Sequence, residues 1–291
     1  MQGKSKNAKL SRSVVTGMIE EVEGAFPDAM PVARMAKMAA KILQKVGYTE
    51  ENTLLATSLS SDEIMRNVEE EIASHFGPAY HIGGLAGYCF GGIVGFGNME
   101  HHVPENGLCL VVYGPHTGID MDLNFGRINR PKQRHSTECC GPSQTALEYC
   151  RRVKTGERKD IENPRDIIES QQTWVCKEML SLVDRIDSAE NPDIELPLAL
   201  FDSQEKIMRR IVEKAGPELH SASRIALLGG ITINTPEGIP EYFVPKKFAI
   251  VDNTGKLVVD LLEELLAARA PVPSRLRNKI TTISFGSQTY G

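Results

Sequence analysis

Apolar residues over the first fifty positions recur at helical spacing. Val14, Val15, Met18, Ile19 and Val22 share one face of residues 12–23, which predicts an amphipathic helix. After a turn at Phe26-Pro27-Asp28 the stripe resumes with Val32, Met35, Met38, Ala39, Ile42, Leu43 and Val46. This second helix opens near Pro31 and stops at Gly47, a residue suited to a helix C-terminus. Its methionine-rich face reads as packing surface. The two helices predict an N-terminal helical arm over residues 1–50 that covers the core or a partner subunit.

Beyond residue 50 the pattern changes. Thr53–Ser58 is a short apolar run suited to a buried strand of a parallel sheet. Ser60-Ser61-Asp62-Glu63 follows, a capping-box pattern that predicts a helix start, with Ile64, Met65, Val68 and Ile72 inward. Leu108–Tyr113 (LCLVVY) is the clearest strand and leads into the turn GPHTG. Residues 142–154 and 163–187 predict helices, Pro192–Pro197 a linker, and Ser203–Lys214 another helix. Ile225–Thr235 and Tyr242–Asp252 read as strands, Val258–Ala268 as a short helix, and Ile280–Phe285 as a further strand. Strands alternate with helices, so residues 51–291 predict an α/β core, a mostly parallel central sheet with helices on both faces.

Composition narrows the class. In 291 residues, 41% hydrophobic and 24% charged content is ordinary for a soluble globular protein. A net charge of −5 gives no basis for nucleic-acid binding. No apolar run approaches the roughly 18 residues that span a bilayer. The opening MQGKSKNAKLSRS is basic and polar, without the apolar stretch of a secretory signal. Six cysteines without CxxC spacing predict reduced thiols in an intracellular compartment rather than a disulfide framework.

Three residue groups carry candidate chemistry. His101 and His102 are adjacent in a glycine-rich stretch before Val103-Pro104. Either imidazole could ligate a metal or simply hydrogen-bond in a surface turn. Cys139-Cys140-Gly141 precedes a helix, whose N-terminus can hold a thiolate; two small buried residues is the plainer alternative. Asp62 and Arg66 stand at i, i+4, close enough to pair on one helix face. Gly77–Gly97 holds eight glycines, which suggests close backbone approach around a pocket. Its pattern matches neither a dinucleotide fingerprint nor a P-loop.

The motifs SSDEIMR, HIGGLAG, GFGNMEHHVP, YGPHTGI and CCG, in that order, resemble the limiting-CO2-inducible protein B/C family, whose members are similar to β-type carbonic anhydrases. The resemblance implies a β-carbonic-anhydrase-like fold and a zinc ion held by Cys, His and Cys. Its fourth position would carry the water that attacks CO2. Carried onto this chain, the dyad is Asp62 with Arg66, the histidine ligand His102 (or His101), and one cysteine ligand Cys140 (or Cys139). The other cysteine is expected two residues before Asp62, and that position is Ser60. The same resemblance implies CO2 or bicarbonate as substrate, a homodimer, and a chloroplast location. It also leaves room for a non-catalytic homologue that binds bicarbonate or a partner protein in a CO2-concentrating system.

Overall fold

The computed structural model describes residues 12–159, 168–218 and 223–269. The predicted strand Ile280–Phe285 and the start of the predicted helix 163–187 lie outside the described residues. In chain order the elements are α1 (Arg12–Ala25), β1 (Met30–Pro31), α2 (Val32–Lys45), β2 (Thr53–Ser58), α3 (Met65–Phe76), β3 (Tyr80–His81), α4 (Gly92–Glu100), β4 (Leu108–Tyr113) and β5 (His116–Gly118). They continue with β6 (Arg127–Ile128), β7 (Thr137–Glu138), α5 (Gly141–Lys154), α6 (Ser170–Leu180), α7 (Val183–Asp187), α8 (Pro192–Ala215), β8 (Arg224–Asn234), β9 (Tyr242–Val251), β10 (Leu257–Asp260) and α9 (Leu262–Ala267).

One central sheet runs in the order β1-β9-β8-β4-β2-β3, with β5 added on β8 and β10 on β9. It is parallel from β3 through β2 and β4 to β8, then antiparallel where β9 meets β8, β1 and β10. The parallel half is therefore the predicted sheet, and the β8–β9 connection turns the other half antiparallel.

Strand β4 shows why this sheet is buried on both faces. Cys109, Val111 and Tyr113 point to one side with α1, α4 and α8; Leu108, Leu110 and Val112 point to the other with α2, α3 and α9. Burial of each such side chain contributes roughly 1.5–3 kcal/mol. The first two helices lie on opposite faces, with Met18 and Val22 in one cluster and Met35 and Ile42 in the other. Met30–Pro31 between them pairs with β9. The N-terminal helices thus pack as part of the core.

Three predicted elements differ from the observed ones; the predicted helix 163–187 is, over its described residues, broken into α6 and α7. The segment 192–197 opens α8 rather than forming a linker, because the Asn191 side chain caps it by accepting from the amides of Asp193 and Ile194. Pro197 is carried inside that helix by burial of Leu196, Ala199, Leu200 and Phe201. The segment 258–268 splits, since Val258-Val259 extends along β9 as part of β10 before α9 begins. No helix among the described residues is long and apolar enough to cross a membrane.

Candidate active site

The carboxyl ends of the parallel strands converge on one place, where open α/β sheets usually site their ligands. The chain leaves β2 into Leu59 and Ser60, leaves β4 into His116, and leaves β8 at Asn234. β5 continues β4 along the same edge of β8 and in the same register. Gly114 links the two strands at φ +147, and a Cβ there would collide with the Gly230 carbonyl. His116 then pairs beside Thr232 and is buried at 2% exposure.

A small hairpin, β6 with β7, brings the cysteines to the histidine. The Cys139 amide donates to the Gly126 carbonyl at 2.9 Å. Gly118 has no room for a side chain, because the Arg127 carbonyl and the Cys139 Cβ lie against it. Both cysteines are buried, and Cys140 is the N-cap of α5. The Cys139 Sγ lies 3.6 Å from His116 Nδ1. That same Nδ1 lies 2.8 Å from Asn234 Oδ1, while Nε2 is buried without a hydrogen-bond partner among the described residues.

Asp62 does not pair with Arg66. Its two carboxylate oxygens each accept from Arg130 at 2.8 Å, a bidentate pair. Arg130 sits just past β6 and is fixed across the hairpin by donating from Nε to Thr137 Oγ1 at 3.2 Å. A fourth bond runs from Arg130 to Glu63 at 2.5 Å. Arg66 instead pairs with Glu69 and donates to the Ser60 carbonyl at 3.1 Å. The physical reason is the helix start. α3 begins at Met65, so Asp62 precedes it and is not on its face. Ser60, 1% exposed, is likewise not a helix cap; its hydroxyl lies 3.4 Å from the Asp62 amide.

The electrostatics follow from this placement. Burial alone would raise the Asp62 carboxyl, but Arg130 and His116 outweigh it and hold Asp62 well below the usual carboxylate range. Burial disfavours charge on His116, yet its interactions with Cys140 and Cys139 outweigh it and push the imidazole well above its ordinary value. Cys140 is pushed up by burial, then brought below an ordinary thiol by His116 and Ser143. For Cys139 burial wins, and its thiol is raised. Of the two cysteines, Cys140 is the one prone to be a thiolate at the helix N-terminus.

His101 and His102 stand apart from this group. Both are exposed at the end of α4, and the His102 ring packs against Tyr80 with centroids 5.6 Å apart. The interactions of Cys140 and Asp62 run to His116. Sequence reasoning passed over His116, Arg130 and Asn234. The signal for His116 was its position directly after the most apolar strand of the chain.

As a zinc site the residues fit in part. His116, with an unpartnered Nε2, and Cys140, with a lowered thiol, are suitable donors. Ser60 is the weak member, because its hydroxyl holds its proton far more tightly than a thiol. Among the described residues no three or more His, Cys, Asp and Glu side chains are grouped to hold a metal ion. The set is one strong donor short of a three-ligand catalytic zinc site.

A buried thiol and imidazole facing an arginine-held carboxylate, at the strand ends of an α/β sheet, define the class as carbonic-anhydrase-like. Residues 29–252 match the family described as limiting CO2-inducible proteins B/C, β carbonic anhydrases, and the chain belongs to that family. Among solved structures it is similar to PtLCIB4, a homolog of the limiting CO2-inducible protein LCIB, at 34% identity and TM-score 0.79, covering 83% of this chain and 99% of that one. A histidine-to-alanine mutant of PtLCIB4 gives 33% identity and TM-score 0.79 over 84% of this chain and 98% of that one. The limiting CO2-inducible protein LCIB itself shares the fold, with TM-score 0.61 at 19% identity over 81% and 95% of the two chains. No curated protein matches the chain significantly.

Proposed function

We propose that the pocket serves carbonic-anhydrase-type chemistry, the interconversion of CO2 and bicarbonate, with metal retention limited by Ser60. The observation that supports this reading is the Asp62–Arg130 pair standing beside His116 and Cys140. Arg130 keeps Asp62 ionised against the burial that would raise its carboxyl. With one lone pair of each oxygen given to Arg130, the carboxylate retains capacity to accept a proton or hydrogen bond from a water or a bicarbonate hydroxyl. Cys140 adds a thiolate, and the His116 ring, when neutral, adds Nε2 as a second acceptor. Zinc is the metal these two donors would suit.

Ser60 itself favours a second reading. A chain without the third strong donor could be a non-catalytic homologue that binds bicarbonate or a partner protein in a CO2-concentrating system.

Metal analysis and stopped-flow CO2 hydration on the natural chain and on Ser60→Cys separate the two. Zinc near one per chain and measurable hydration in the natural chain support the enzyme. A metal-free natural chain that gains zinc and hydration in Ser60→Cys supports the non-catalytic homologue. If the natural chain is metal-free and inactive and Ser60→Cys restores neither zinc nor hydration, position 60 is not part of a metal site and the first reading fails.

A further inference from the structure

His116 is tied through β8 to the entry of β9 by a hydrogen-bond chain. Its Nδ1 lies 2.8 Å from Asn234 Oδ1, and Asn234 Nδ2 donates to Glu241 Oε1 at 3.0 Å. Asn234 is 1% exposed. Glu241 is fixed just before β9, where its carbonyl accepts from the Val32 amide at 2.9 Å. Three strand ends therefore meet in one line, from the first residue of β5, through the last residue of β8, to the entry of β9.

The polarity of this line is set by chemistry. An ionised carboxylate only accepts, and an amide donates only through nitrogen. Asn234 must therefore turn Nδ2 to Glu241 and Oδ1 to His116. An amide oxygen only accepts, so His116 must carry a hydrogen on Nδ1. Cys139 Sγ is a poorer competitor for that nitrogen, at 3.6 Å. In the neutral ring the remaining nitrogen, Nε2, is then bare, and it is the buried atom that has no partner among the described residues.

We infer that Asn234 and Glu241 are positioning residues that fix the tautomer of His116, so that Nε2 is kept as the free lone pair of the pocket. Outer groups that orient an imidazole in this way commonly tune its ligand or base strength. The inference goes beyond the reaction proposed above and stands whether or not the pocket hydrates CO2. Glu241 touches neither the cysteines nor Asp62 in any recorded hydrogen bond; it acts through Asn234.

The test is long-range proton–nitrogen NMR of the His116 ring in the metal-free chain, read on the neutral ring toward the alkaline end of its folded range. The natural chain should show a protonated Nδ1 and a bare Nε2. Glu241→Gln keeps the shape but lets the facing amides turn over, so it should give mixed tautomers. Glu241→Asp keeps an accepting carboxylate and should preserve the natural pattern. In the double variant Asn234→Asp with Glu241→Gln, the new amide donates to the new carboxylate, and the Nδ1-protonated form should return. A merely structural role for Glu241 would leave the ring nitrogens unmoved by the near-isosteric Gln. The inference is overturned by a bare Nδ1 in the natural chain, by an unchanged pattern in Glu241→Gln, or by failure of the double variant to restore it. A ring that stays doubly protonated in the natural chain and Glu241→Gln alike also overturns it, because the thiolates would then hold the Nδ1 proton.

Discussion

Arg130 grips Asp62 with two 2.8 Å bonds across 68 residues of sequence. The pair joins the exit of β2 to the hairpin that delivers the cysteines, so one contact ties together both halves of the pocket. Both partners are largely shielded, with side chains 13% and 9% exposed. Removing one partner of such a pair leaves a charge with its desolvation uncompensated, which costs about 3 kcal/mol or more.

Arg130→Gln is therefore expected to lower stability by about 3 kcal/mol at neutral pH, against less than about 1 kcal/mol for Arg66→Ala at the half-exposed Arg66–Glu69 pair. The pH dependence has a definite sign. Asp62 is held below its unfolded value, so its contribution is complete above the ordinary carboxylate range of about 4. It is lost as pH falls through the lowered folded value. Urea unfolding at pH 7 and pH 3 checks this. The gap between natural chain and Arg130→Gln should shrink at the lower pH, and a constant gap would contradict the linkage.

The two histidine positions should separate cleanly. His116→Ala leaves the Asn234 amide oxygen and both thiols facing a buried gap, and is expected to cost roughly 2–3 kcal/mol. His102→Ala removes only an exposed ring from Tyr80 and should stay within about 0.5 kcal/mol. Denaturant midpoints of the two variants give the comparison. Equal losses would mean that His102 is held more firmly than its exposure indicates.

Much of the sheet was legible because its central strands are continuous apolar runs; Thr53–Ser58 and Leu108–Tyr113 begin and end where the sequence places them. The site was legible only in part. Asp62 and Cys140 lie in local motifs and are brought together. Arg66 drew attention because i, i+4 spacing is visible in a sequence, whereas Arg130 reaches Asp62 through a hairpin whose path depends on Gly118 fitting under Cys139. The doublet His101-His102 stood out by composition. His116 stood out only by position, since a residue after a buried parallel strand emerges at the strand's carboxyl end. Its partner Asn234 could not be seen until β8 was placed beside β5.

Alkaline pH should destabilise the chain. Burial pushes the Cys89 thiol up to about 11, and burial with the nearby Glu23 pushes the Tyr242 phenol up to about 12. The folded state therefore keeps protons that the unfolded state has already released. Stability is complete below the unfolded values and falls from about pH 9 upward, by as much as roughly 1.4 kcal/mol per pH unit for each such group. Denaturant midpoints between about pH 8 and about pH 10.5 should decline, and Cys89→Ala should flatten the first part of that decline. A level midpoint across that range would show that neither group stays neutral in the folded chain.

The link at Gly114 between β4 and β5 makes the last prediction, because it places His116. Gly114 has φ +147, and a Cβ would run into the Gly230 carbonyl, a backbone atom that cannot rotate away. Gly114→Ala must therefore push β5 off β8, parting His116 from Asn234 as it does so. A loss of about 3 kcal/mol or more is expected, together with the loss of the Nδ1–Asn234 hydrogen bond. Gly17→Ala is the matched control: it lies inside α1 with open space where the Cβ would go, and should gain about 0.5–1 kcal/mol from helix propensity alone. Thermal unfolding ranks the two, and the His116 ring nitrogens report the pocket. If Gly114→Ala unfolds like the natural chain and keeps its Nδ1 proton, the close approach of Gly114 to Gly230 does not set the position of the histidine.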